Sequence, residues 1–153
     1  PALIQGGGQE GGYRSGTEAT PAIFAFAAAA EAGMQTFRQD TAREKELLNS
    51  LCEKLSALPG LVLTGAHEAP HILNIAIPGV PTQNTINILQ DAGICVSAGS
   101  ACAKGHRSHV LTAMNVPEQA IDSAFRVSLS RETTQAEIDA LVETIQKDIL
   151  PRI

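Results

Sequence analysis

Apolar residues recur at three- and four-residue spacing through the first third of the chain: Ala30, Met34, Phe37, Leu48, Leu51, Leu55 and Leu58. That period predicts one long amphipathic helix over about residues 21–58. Thr20 stands at the expected N-cap, Pro21 at the first helical position, and Pro59-Gly60 as the stop. At 1.5 Å per residue such a helix is roughly 57 Å long, more than a small domain needs, and helices of that length commonly tie two domains together. Shorter elements then alternate. Leu61–Leu63 and Ile72–Ile77 read as strands, the second leaving through Pro78-Gly79, and Thr82 is the expected cap of a helix carrying Ile86 and Leu89 that ends at Gly93. Ile94-Cys95-Val96 reads as a short buried strand, and a helix is expected around Val110, Leu111 and Met114. Phe125–Leu129 alternates as a half-buried strand does. Thr134 and Glu137 form a capping box for a last helix with a buried stripe of Ile138, Leu141, Val142, Ile145 and Ile149. The pattern predicts an α+β fold, a small mixed sheet covered by helices.

The chain is long enough for one ordinary domain. Its net charge of −5 argues against a nucleic-acid or anionic-membrane surface. No apolar run reaches about 18 residues, and Ala27–Ala30 is a short piece of the patterned helix. No charged start followed by an apolar block marks a secretory signal, so a cytoplasmic setting is expected. The start at Pro1, without an initiator Met, suggests a fragment or a processed piece. Three cysteines, an odd count, argue against a disulfide framework.

Those cysteines sit in different company. Cys52 lies beside Leu48, Leu51 and Leu55, and Cys95 between Ile94 and Val96; both read as small buried hydrophobes. Cys102 follows Ser97, Ala98, Gly99, Ser100 and Ala101, all too small to bury it, and precedes Lys104, His106, Arg107 and His109. Positive charge beside a thiol stabilises the thiolate, which is the nucleophile. Cys102 is therefore the candidate reactive thiol. The rival reading counts Cys95, Cys102, His106 and His109 as metal ligands; no CxxC pair supports it, and Cys95 on a buried strand would face away from the loop. No metal site is expected.

Three motifs carry a resemblance. SAGSAC (97–102) with SHVLTAM (108–114) closely resembles the active-cysteine loop of the pyridoxal-phosphate-dependent cysteine desulfurases of the nitrogen-fixation and iron–sulfur assembly type. GGGQEGGYRSGTE (6–18) looks like the Gly-rich segment of that family. FRVSLS (125–130) followed by Thr133-Thr134 and Glu137 is similar to its C-terminal strand and helix start. They occur in the family's order and cover essentially the whole chain.

The resemblance implies the small C-terminal domain of the fold-type-I pyridoxal-phosphate enzymes. Residues 1–20 would be a remnant of the large cofactor-binding domain and 21–153 the small domain, including the connecting helix. It implies a transferase that converts L-cysteine to L-alanine, with pyridoxal phosphate as electron sink and a persulfide on the enzyme cysteine. Cys102 matches that nucleophile. Arg126 matches the arginine that grips the substrate α-carboxylate with two parallel hydrogen bonds. Thr17 matches a residue that bonds a cofactor phosphate held mainly by the other subunit of a homodimer. A sulfur-acceptor protein, such as an iron–sulfur scaffold, is the implied partner. Arg14, Ser15, His106 and His109 receive no role. The cysteine loop is shorter than in some members, and Gly11, Ala19 and Ala98 depart from the common residues. No lysine here resembles the cofactor-lysine site, so the chain alone is expected neither to bind pyridoxal phosphate nor to desulfurate cysteine. A selenocysteine lyase or other class-V aminotransferase-fold enzyme, and a stand-alone sulfur carrier, are the alternatives.

Overall fold

The computed structural model describes residues 1–64, 69–98 and 107–152. The chain divides into two compact units, Pro1–Arg38 and Gln39–Ile153. Helix α1 (Thr20–Ser56) contributes to both. The helix begins one residue earlier than expected: Ile23 N–H donates to the Ala19 carbonyl at 3.0 Å, so Thr20 is its first residue and not its cap.

In the first unit a short 3₁₀ turn (Glu10–Gly12) folds the Gly-rich segment back on itself. Ile4 pairs with Arg14, and Leu3 N–H donates to the Tyr13 carbonyl at 2.8 Å. The α1 residues Phe24, Phe26, Met34 and Phe37 are exposed here, although Met34 and Phe37 belong to the apolar stripe that the period singles out. Period identifies a face; it does not supply the layer that covers it.

The second unit holds the core. Leu47, Leu48, Leu51 and Leu55 of α1 pack with Leu73 and Ile75, Leu89, Phe125 and Val127, and Ile138, Leu141, Ile145 and Ile149. The sheet has three strands in the order β1 (Val62–Thr64), β2 (Ile72–Ala76), β3 (Ala124–Ser128). It is antiparallel throughout these strands where a mixed sheet is expected: β3 starts opposite the residue at which β2 ends (Ala76 with Ala124), so the segment between them leaves and re-enters at the same end. That segment carries α2 (Thr82–Asp91), α3 (His109–Ala113) and α4 (Glu118–Ile121). The α4 turn is not foreseen from the pattern. Its Ala120 and Ile121 join Leu111, Ala76 and Ala124 in a second small cluster on the opposite face of the sheet.

Two further details differ. Pro81, not Thr82, precedes α2, and Thr82 is its first residue. The Thr82 hydroxyl lies 2.9 Å from the Asp122 carbonyl and 3.0 Å from that of Ala124, tying α2 to the start of β3. Ile94-Cys95-Val96 is not a strand: among the described residues the only pairing near it is the bridge at Ser97. Ile94 and Val96 pack half-buried against the core, which leaves Cys95 between them exposed and not buried as expected. The Thr134–Glu137 capping box is present at the start of α5 (Gln135–Thr144). The last helix continues beyond α5 as a π turn (Ile145–Ile149), with Ile145 and Ile149 fully buried as their spacing requires.

Candidate active site

Period two along β3 decides where Arg126 goes. Phe125 and Val127 face the core, so Arg126 between them must face away, because burying an unpaired guanidinium would cost several kcal/mol. Register extends the argument across the sheet. Arg126 pairs with Asn74 and Asn74 with Thr64, so the three side chains share one face in a single row. The Thr64 hydroxyl donates to Asn74 Oδ1 at 2.7 Å. Arg126 is exposed and makes no side-chain hydrogen bond or ion pair with other described residues. A bidentate donor without an acceptor among the described residues is suited to a carboxylate brought by a ligand.

On its other side Arg126 meets Ser97. Ser97 N–H donates to the Arg126 carbonyl at 3.1 Å, and Arg126 N–H donates to the Ser97 carbonyl at 2.7 Å. This two-bond bridge fixes the chain at the point where it enters the cysteine segment. Cys102 itself, with Lys104 and His106, lies outside the described residues. It is five residues beyond Ser97, and so at most about 18 Å from it by covalent reach.

The chain returns at Arg107. Its Nε and Nη2 donate to the two carboxylate oxygens of Asp122, each at 2.7 Å, and its Nη1 lies 2.8 Å from Glu118 Oε2. Arg107 holds the Asp122 carboxyl below its usual range, and the two carboxylates push the guanidinium above its own. Its positive charge is thus taken up by acidic partners, and it acts as a fastener, not as a cation available to a thiol. Ser108 then caps α3, accepting from Leu111 N–H at 3.3 Å, and His109 is exposed on the first turn. Glu118 and Asp122 escape a reading that looks for nucleophiles, yet their four-residue spacing already puts two carboxylates on one helical face.

Thr17 belongs to the first unit, and its surroundings are described within that unit alone. It is exposed and follows Gly16, whose φ of +115° is a backbone conformation that favours glycine. Gln9 Oε1 accepts from Gly16 N–H at 3.2 Å, Arg14 Nη1 donates to the Gly16 carbonyl at 2.8 Å, and Gly8 N–H donates to Ser15 Oγ at 3.4 Å. Arg14 and Ser15 therefore brace the loop that presents Thr17. Of the remaining thiols, Cys52 is half-buried with its thiol pushed up by desolvation, which suppresses the nucleophilic form.

The described lysines do not make a cofactor site. Lys54 Nζ is 2.6 Å from Asp139, Lys147 is ion-paired with Glu143, and Lys45 is exposed on α1. Schiff-base chemistry needs an unpaired amine in a cleft that also offers anion donors, and none of the three has both. Among the described residues, then, no lysine lies in a setting that fits pyridoxal phosphate. Among the described residues no group of three or more His, Cys, Asp or Glu could hold a metal ion, and no helix is long and apolar enough to cross a membrane.

The chain is similar to known proteins over most of its length. The sequence profile of the family Aminotransferase class-V matches residues 5–141. Cysteine desulfurase 2 of Trichormus variabilis is 39% identical over 146 residues, covering 92% of this chain and 36% of the relative. The cysteine desulfurase NifS of Azotobacter vinelandii is 35% identical over 152 residues, covering 94% and 37%. Among solved structures, a NifS-like protein from Rickettsia africae superposes with a TM-score of 0.82 at 32% identity, covering 96% of this chain and 39% of that one. The chain spans less than two-fifths of the length of these relatives.

Proposed function

This chain belongs to the aminotransferase class-V family, and we propose that it is the cysteine-loop and substrate-gripping part of a pyridoxal-phosphate-dependent cysteine desulfurase. Residues 1–20 are the edge of a large cofactor-binding domain and residues 21–153 the small domain. Cys102 is the sulfur acceptor, Arg126 binds the α-carboxylate of L-cysteine, and Thr17 reaches toward the phosphate of a cofactor held mainly by a second subunit of a cytoplasmic homodimer. The observation that carries this reading is the Ser97–Arg126 bridge, which ties an outward-facing arginine, without a side-chain partner among the described residues, to the root of the cysteine segment.

The division of labour follows from the residues. Arg126 orients the amino acid through two parallel hydrogen bonds. The Cys102 thiolate attacks the substrate sulfur and forms an S–S bond as the substrate C–S bond breaks. The electron pair of that bond remains with carbon, which takes a proton, so Cys102–SH and L-cysteine become Cys102–S–SH and L-alanine. The lysine and the electron-sink chemistry belong to the part of the protein outside this chain. The persulfide then passes to an acceptor protein, for which an iron–sulfur scaffold is the expected class.

The test uses the complete gene product, fed L-cysteine, with sulfide and alanine assayed for the unaltered protein and for Cys102→Ala. Persulfide on Cys102 by peptide mass spectrometry, and loss of turnover in the variant, are expected. Unchanged sulfide release from Cys102→Ala would remove Cys102 from the mechanism.

A further inference from the structure

We infer that Arg107, through its grip on Asp122 and Glu118, is a positioning residue that sets where Cys102 can reach. The inference rests on the reading of Cys102 as the sulfur acceptor. Cys102 is five residues from Ser97 and five from Arg107, so the two residues bound its reach equally, at about 18 Å each at most.

The first boundary is built from backbone: the paired hydrogen bonds between Ser97 and Arg126. The second is built from side chains. The guanidinium fork of Arg107 meets both oxygens of Asp122 and one of Glu118, a geometry that fixes orientation as well as distance. What it grips is itself anchored. Asp122 N–H donates to the Glu118 carbonyl at 2.9 Å, and the Asp122 carbonyl accepts from Thr82 N–H at 3.2 Å and from the Thr82 hydroxyl. Ala120 and Ile121, on the same turn, are buried against Ala76 and Ala124 at the end of the sheet. Arg126 lies two residues further along β3 from Ala124. Both boundaries of the cysteine segment are therefore referred to the strand that carries the carboxylate-gripping arginine.

The exposure of the clamp separates positioning from stability. The side chains of Arg107, Asp122 and Glu118 are 47, 50 and 76% exposed, and pairs so wet contribute little to global folding. Releasing Arg107 frees the chain as far as α3, where Leu111 re-enters the small cluster. The nearest fixed point on that side of Cys102 then moves from five residues away, at Arg107, to Leu111, while Arg126 and its strand stay in place.

The test compares Arg107→Ala, Asp122→Asn and the charge exchange Arg107→Asp with Asp122→Arg, each in the complete gene product. Single-turnover persulfide formation is expected to slow by about ten- to a hundredfold in the two single variants, the scale of a displaced reacting group. Thermal midpoint and KM for L-cysteine stay at the unaltered values, and the exchanged pair regains most of the rate. Hydrogen exchange at the Leu111 and Thr112 amides accelerates in the single variants and recovers in the exchange. Unaltered rates in both single variants overturn the inference, as does a loss that tracks the thermal midpoint and is not rescued. If the unaltered protein forms no persulfide on Cys102, the proposed function fails instead. Amide exchange at Leu111 and Thr112 then still decides whether the clamp holds the chain, unchanged exchange overturning it.

Discussion

Thr85 of α2 is fully buried, and its hydroxyl has no hydrogen-bond partner among the described residues. Replacing it with Val keeps the branched shape and removes the oxygen, a change that is not conservative in a core because of that hydroxyl. An unsatisfied buried hydroxyl carries a desolvation cost of about 1–3 kcal/mol. The helix propensities of Thr and Val nearly cancel. Thr85→Val is therefore expected to stabilise the Gln39–Ile153 unit by about 1–2 kcal/mol, and for a domain of this size to raise its thermal midpoint by roughly 3–8 °C. Thr85→Ser should do the opposite, because it keeps the oxygen and opens a methyl-sized void worth about 1 kcal/mol. Urea unfolding checks both, provided the slope with denaturant is unchanged, so that the midpoint reports stability. Opposite signs for Val and Ser are the expected result. Destabilisation by both would mean that the hydroxyl is bonded in solution, and the reasoning would fail.

Arg126→Leu in the complete gene product should lower kcat/KM for L-cysteine by on the order of a hundredfold, the scale of one charge-assisted bidentate pair. Arg126→Lys should recover only part, since a lysine cannot make the fork; full activity of the leucine variant would remove Arg126 from substrate binding. Thr134→Ala should cost about 1 kcal/mol of stability through loss of the helix cap, read by thermal unfolding. The Thr134 N–H and hydroxyl hold the Glu137 carboxyl below its usual range, so the contact stabilises the fold above the ordinary glutamate pKa and is lost as pH falls through the lowered value. Stability of the alanine variant should accordingly fall less steeply on acidification than that of the unaltered protein, and equal slopes would count against the linkage. The 153-residue chain mixed with pyridoxal phosphate should show no stoichiometric cofactor–lysine absorbance; a saturable one would mean that a lysine here makes a site.

Much of the local structure was legible because it rests on short-range physics. The span of α1, the strands around Leu73 and Phe125, the Thr134–Glu137 box and the buried stripe from Ile138 to Ile149 all follow from period and capping chemistry, which act within one or two turns. The outward face of Arg126 is equally local, fixed by Phe125 and Val127 on either side. The small size of the residues before Cys102 is a signal of the same local kind, although that thiol lies outside the described residues.

Tertiary structure decided what touches what. Cys95 looks buried between two aliphatic neighbours, yet those neighbours take the core positions and leave it exposed. Arg107 reads as one more cation near a thiol until Glu118 and Asp122, 11 and 15 residues later, are seen to claim its charge. The antiparallel sense of β3 depends on where a long connection re-enters the sheet, and no local pattern encodes that. Ion pairs and strand order arise from contacts distant in sequence, so the amino-acid pattern names the participants while only the packed chain chooses their partners.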